Sequence, residues 1–312
     1  AGGAGTGKTV LAAEKARRLA ASGKRTLLLC FNRPLADHLA TNADGYEVDT
    51  FHGLCDALAQ EAGLAFPVPQ RDAAKQRDFW QDEAPNILLD ALNALPTRRW
   101  DALVVDEGQD FRAHWWECLG FALEDAETST LYVFHDPHQN LYHGELPKGL
   151  QTLDFDLVIN CRNTARIATW CSQQIGQTPV LRDGAPEGID VEIIPCATPK
   201  AMVDAIQRTL HRLLVDEGIP SRDVVILSTR RRGNSCLAGR QKLGTARLVD
   251  LGEGKKNGDV VVSTFQRFKG LEADFVILCD VVDGEATSGA KQLYVAGSRA
   301  RHGLVVCKSS KP

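Results

Sequence analysis

The sequence predicts an α/β fold of two successive lobes, each a mainly parallel sheet flanked by helices. Three observations carry this. Short apolar runs alternate with helical periodicities through both halves, an acidic cluster ends one of those runs, and a glycine-rich loop opens a helix at the start of the chain. Strands separated by helices pair through crossovers, which gives parallel sheets buried on both faces, and ligands of such sheets gather at the carboxyl ends of the strands.

In the first half, residues 10–21 have helical spacing, 25–31 read as a buried strand and 34–40 as the next helix. Helical patterns follow over 51–61 and over a polar stretch from about 70 to 95. The apolar run 101–105 is a strand ending in Asp106, Glu107, Gly108, Gln109 and Asp110, and 130–134 is another strand. A loop with Gly144, Pro147 and Gly149 then marks a boundary near Leu150, dividing 1–150 from 151–312. The second half carries strand-like runs at 157–160, 191–194, 224–227, 260–263, 275–278 and 304–306.

At 312 residues the chain has room for two domains with separate cores. Hydrophobic content of 44% and charged content of 24% are those of an ordinary soluble globular protein, which excludes disordered and fibrous classes. A net charge of −4 gives no global basic footprint, so any nucleic-acid surface must be local. The nine cysteines are scattered with no CxxC pair, which argues against a disulfide framework or a zinc knuckle and for a reducing, cytoplasmic compartment. With no apolar run of about 18 residues and no secretory leader, no membrane association is expected. The strand that ordinarily precedes a phosphate loop is absent before Ala1, so upstream residues are expected, with room there for an adenine-binding segment or a partner domain.

Gly2, Gly7, Lys8 and Thr9 fit G-x-x-x-x-G-K-[ST], and Gly3, Ala4, Gly5 and Thr6 form a turn small enough for backbone N–H groups to face phosphate oxygens. The following helix aims its N-terminus at the phosphates, Lys8 reaches the β and γ oxygens, and the Thr9 hydroxyl is a ligand for Mg²⁺. Asp106 at a strand end suits the same magnesium shell, and Glu107 is placed to polarise an attacking water. Read alone, that acidic pair is equally a solvated turn; together with the loop it specifies hydrolysis of a nucleoside triphosphate.

The ordered motifs resemble those of UvrD/Rep-like superfamily 1 helicases across nearly the whole chain. AGGAGTGKT (1–9) resembles motif I, CFNRPLADHL (30–39) motif Ia, DTFHGLC (49–55) motif Ib, VVDEGQD (104–110) motif II and VFHDPHQNLY (133–142) motif III. In the second half INCRN (159–163) resembles motif IV, VSTFQRFKGLEAD (262–274) motif V and LYVAGSRAR (293–301) motif VI. The resemblance implies two RecA-like P-loop lobes that use ATP and Mg²⁺. It implies further that Gln139 senses the γ-phosphate, that Arg162 and Arg299 are arginine fingers from the second lobe, and that Glu272 holds the nucleotide sugar beside Lys269 and Gly270. A guanidinium suits that task because charge spreads over the γ-phosphoryl oxygens in the transition state.

The same resemblance places Phe31, Asn32, Thr50, Phe51, His52 and Thr264 against single-stranded nucleic acid, where rings stack on bases and hydroxyls meet phosphates. Phe51 is also readable as a core aromatic and His52 as a satisfied histidine at a helix start. The cluster His135, Asp136, His138 and His143 has metal-ligand composition, but its position inside the third motif argues against a metal site.

The chain departs from the family at Cys161, where motif IV usually has tyrosine, at His143, Gly144 and Glu145 in place of an aromatic-Arg-Gly run, and at Gln266 in place of histidine. About 50 residues separate motifs Ib and II and about 100 separate motifs IV and V, which leaves little room for large accessory insertions. The resemblance implies an ATP-dependent 3′-to-5′ translocase or helicase on single-stranded DNA. An RNA-directed or defence-associated ATPase and a nucleotide-gated interaction module are the alternatives.

Overall fold

The computed structural model of the protein describes residues 1–309 other than 71, 126, 142, 143, 148–154, 254, 255 and 283–286. The expected boundary near Leu150 and the motif positions Tyr142 and His143 lie outside the described residues. The chain divides into two compact units, one formed by Ala1–Gly2 with Lys8–Leu157 and the other by Gly3–Gly7 with Val158–Pro312.

In the first unit the elements run α1 (Lys8–Ala21), β1 (Thr26–Cys30), α2 (Arg33–Ala40), β2 (Glu47–Thr50), α3 (Phe51–Glu61), α4 (Ala73–Asp78), α5 (Ala84–Ala94), β3 (Ala102–Val105), α6 (Ala113–Ala122) and β4 (Thr130–Val133). The strands form one parallel sheet in the order β2-β1-β3-β4. Its two central strands, TLLLC and ALVV, are buried along their whole length, as continuous apolar runs in a parallel sheet must be.

Helix starts follow their caps. Asn32 accepts from the Leu35 amide at 3.0 Å to begin α2, and the Thr50 side chain accepts from the Gly53 amide at 3.0 Å to begin α3. The helical stretch expected over about 70–95 is instead two helices joined through a π-helical turn, Phe79–Glu83. Pro85 explains the break. It has no N–H for the carbonyl four residues back, and its ring clashes with an α-helical turn there, so the backbone widens before α5 begins. Leu27, Leu29, Phe51, Leu54, Phe79, Leu88, Trp100, Leu103 and Trp115 close the core of this unit.

The second unit continues with β5 (Ile159–Asn160), α7 (Ala165–Gln174), β6 (Val180–Leu181), β7 (Glu192–Cys196), α8 (Pro199–His211), β8 (Val224–Ser228), β9 (Lys242–Leu243), β10 (Ala246–Asp250), β11 (Asp259–Thr264), β12 (Ala273–Val282), α9 (Thr287–Gly297) and β13 (Ala300–Ser309). A seven-stranded sheet has the order β7-β13-β12-β8-β11-β10-β9, parallel throughout except for the short edge strand β9 against β10. The strand expected over 157–160 is reduced to β5, which pairs only with β6 in a two-stranded sheet. Ile206, Leu210, Val224, Ile226, Leu237, Val260 and Ile277 lie in a separate core. Both units are thus α/β, with parallel sheets flanked by helices. Among the described residues no helix is long and apolar enough to cross a membrane.

Candidate active site

At the carboxyl ends of β1, β3 and β4, the first unit gathers a set of buried polar side chains. The Asp106 amide bonds to the Leu29 carbonyl and the Gly2 amide to the His135 carbonyl, which fixes the acidic turn and the start of the glycine-rich loop against their neighbouring strands. Thr9 Oγ1 donates to Asp106 Oδ2 at 2.6 Å, pairing the two side chains expected to share a metal. Lys8, 7% exposed, donates to the Gly2 carbonyl at 2.8 Å and lies 3.7 Å from Asp136 Oδ2.

Asp106 is fully buried next to Glu107. Burial first, then the Glu107 charge, pushes the Asp106 carboxyl up to about 6, while the Thr9 hydroxyl and Lys8 pull it the other way. Glu107 holds φ 58, in the left-handed region that a non-glycine residue enters at a cost, and its own amide donates to Asp106 Oδ1 at 3.0 Å.

Gln109 and Asp136 complete the array, and neither was given a nucleotide role by the sequence. Gln109 Nε2 donates to Glu107 Oε2 at 2.6 Å, and its Oε1 accepts from the Asp136 amide at 2.9 Å, so one amide side chain spans the two acidic loops. Asp136 in turn accepts from Gln139 Nε2 at 2.7 Å and from the His138 amide at 2.9 Å. The signal for Gln109 was its place in the acidic strand end; that for Asp136 was a carboxylate among histidines, which resembled a metal cluster.

In the second unit, Gly3–Gly7 meets residues of motifs IV and VI. The Ala4 amide donates to Tyr294 Oη at 2.8 Å, Asn160 Nδ2 to the Ala4 carbonyl at 3.2 Å, and the Cys161 amide to the Gly5 carbonyl at 2.9 Å. Gly5 has φ +76, and a Cβ there would stand 2.6 Å from Asn160 Oδ1, so only glycine fits. Thr6 Oγ1 donates to the Gly3 carbonyl, and Gly7 also has positive φ. Tyr294 and Asn160 were missed because nothing in their spacing ties them to a loop so far upstream.

Two expected site residues pair with each other: Arg162 Nε lies 2.6 Å from Glu272 Oε2, and Arg301 Nε lies 3.6 Å from the other carboxylate oxygen. Arg299 is buried, donating from Nε to the Val295 carbonyl and from Nη2 to Ser298 Oγ. Lys269 is fully buried and Gly270 follows it at φ 83.

The residues expected against a nucleic-acid strand divide. Phe31 is half-buried at the end of β1, Asn32 and Thr50 cap helices as described, and Thr264 ends β11 with its hydroxyl accepting from the Arg267 amide at 3.3 Å. Phe51 is 2% exposed and stacks on Trp115, with centroids 4.5 Å apart and planes 10° from parallel. A ring so enclosed has no face to offer a base, so here the core reading replaces direct stacking. His52 Nε2 bonds to the Trp80 carbonyl at 2.8 Å, and burial lowers its pKa, so the ring is neutral and donates from that nitrogen.

A family model described as an AAA domain matches residues 1–145, and one described as a UvrD-like helicase C-terminal domain matches residues 259–307. No curated protein matches the chain.

Proposed function

Since this chain belongs to the UvrD-like superfamily 1 helicases and is an ATP-hydrolysing helicase, we propose that it moves along single-stranded DNA in the 3′-to-5′ direction. The observation that carries the reading is the continuous buried array running from Thr9 through Asp106, Glu107, Gln109 and Asp136 to Gln139 and Lys8. A strand end that held only a solvated turn would not bury two adjacent carboxylates. Such a pair calls for a cation to let both ionise, which fits Mg²⁺ held by Thr9 and Asp106. Magnesium, when bound, neutralises charge on the phosphates.

In this reading the amides of Gly3, Ala4, Gly5, Thr6 and Gly7 bind phosphate oxygens, the Ala4 amide giving up Tyr294 and Lys8 giving up Asp136 to do so. Glu107 takes the proton of the attacking water, with Gln109 fixing the orientation of its carboxylate. Gln139 reports the γ-phosphate to motif III. Arg162 and Arg299 serve as arginine fingers, and Glu272 and Gly270 form the sugar side of the nucleotide site. Phe31, Asn32, Thr50, His52 and Thr264 are the strand contacts, with Phe51 supporting them from the core.

A second reading, a nucleic-acid-dependent ATPase that does not separate duplexes, is favoured by one observation: the motif spacing leaves little room for accessory insertions. Steady-state ATP hydrolysis with and without single-stranded DNA, with RNA and duplex in parallel and Lys8→Ala as the blank, tests both. Strong stimulation by single-stranded DNA is expected. Hydrolysis indifferent to nucleic acid would overturn the motor, and preference for RNA would select the alternative.

A further inference from the structure

Four cysteines scattered through the sequence meet in the second unit, away from any residue used above. Cys236, Cys279 and Asp280 each bring a ligand atom to one place, the three within 4.8 Å of one another. Cys196, which ends β7 and donates to the Ile194 carbonyl at 3.5 Å, and Cys307 on β13 lie near enough to Cys236 for their charges to interact. Met202 Sδ accepts from the Asp280 amide at 3.2 Å, which adds a thioether to the cluster.

The backbone is bent to bring these groups together. Successive residues of a regular strand point to opposite faces, so Cys279 and Asp280 should face apart. Strand β12 instead shifts register against β13 between Leu278 and Val281, and Asp280 adopts φ 59. A bulge re-aims a side chain, and left-handed backbone at a non-glycine residue is a strain the surroundings must hold. The outcome is a Cys279 thiol that donates to Asp280 Oδ2 at 3.6 Å on the same side of the strand.

We propose that Cys236, Cys279 and Asp280, with the Cys196 and Cys307 thiols in the vicinity, form a binding site for a thiophilic divalent cation of the zinc class. Thiolate sulfur with one carboxylate oxygen is a donor set for such an ion rather than for magnesium or calcium. Asp280 is held in place by Ser228 Oγ and Ser235 Oγ, each donating at 2.6 Å, and by the Cys236 amide at 3.0 Å, the outer hydrogen bonds that orient a ligating carboxylate. Each cysteine that ligates does so as a thiolate and gives its proton to solvent, with no change of oxidation state. Asp280 Oδ1 accepts one hydrogen bond, from the Cys236 amide, and has a second lone pair for the ion. Half-buried Cys236 gives the ion its entry.

The test is titration of the chelator-treated, reduced full chain with Co²⁺, followed by displacement with Zn²⁺. One equivalent should bind with a thiolate-to-cobalt charge-transfer band that Zn²⁺ abolishes. Cys236→Ser should weaken binding at least about tenfold. Cys279→Ser should do the same, but it alters a fully buried residue. Cys236→Ser, judged against its own melting curve, is therefore the deciding variant. Cys161→Ser, exposed and outside the cluster, should titrate like the parent. Absence of the band, an unchanged titration in Cys236→Ser, or a Cys236–Cys279 disulfide in freshly isolated protein would overturn the site. None of these outcomes depends on ATP hydrolysis.

Discussion

Glu107 is bound by Gln109 and strained by its own backbone, so removing its charge with little change of shape isolates its chemical role. Glu107→Gln is expected to keep nucleotide binding and lose roughly 10²–10⁴-fold in hydrolysis, read by comparing equilibrium binding with turnover. Equal loss of both would show that the residue builds the site and does not act in it. Asp106 makes a prediction in pH. Its folded carboxyl titrates near 6 against an ordinary value of 3.8, so the folded state takes up a proton before the unfolded chain does. Its contribution therefore opposes folding above about pH 6, and that penalty fades as pH falls toward the ordinary value. In magnesium-free buffer, Asp106→Asn should be more stable than the parent at about pH 8 and match it near pH 4 by urea unfolding. At this scale the sequence was legible where a motif fixes the residue type, as for Lys8, Thr9 and Asp106. It was not legible for Gln109, whose role comes from spanning two loops that only the sheet brings together.

Among the elements, α3 concentrates the consequences. Thr50 caps it and Phe51 anchors it on Trp115, so cap and anchor can be weakened separately. Thr50→Ala should cost about 1 kcal/mol and Phe51→Ala about 3–5 kcal/mol in denaturant unfolding, the second because it leaves a cavity among aromatic rings. If Phe51→Ala instead left stability intact and abolished DNA stimulation, the ring would be a strand contact after all. Helix 51–61 could be read to the residue because a capping threonine and a clean apolar stripe agree. The stretch near 70–95 could not, since its helical periodicity continues through Pro85 and only backbone sterics decide how the chain passes it. The pair β5 and β6 was equally hidden, since two residues carry no periodicity.

The described residues form two hydrophobic cores built from different stretches of chain, and cores of this kind unfold as separate cooperative units when neither depends on the other. Urea unfolding should be biphasic, with Phe51→Ala displacing one transition and Ile226→Ala the other. A single transition moved by both variants would show that the units fold as one. The α/β architecture was legible because alternation is repeated many times over; the cysteine cluster was not, because it depends on register across β7, β12 and β13. The left-handed turn at Glu107 has a practical consequence for anyone evolving this protein. Glycine at that position would relieve the backbone, and neutral residues there and at Asp106 would remove a buried charge, so selection for heat tolerance alone would favour sturdier variants that have lost their chemistry. A thermostability screen on this chain needs turnover as a second criterion from its first round.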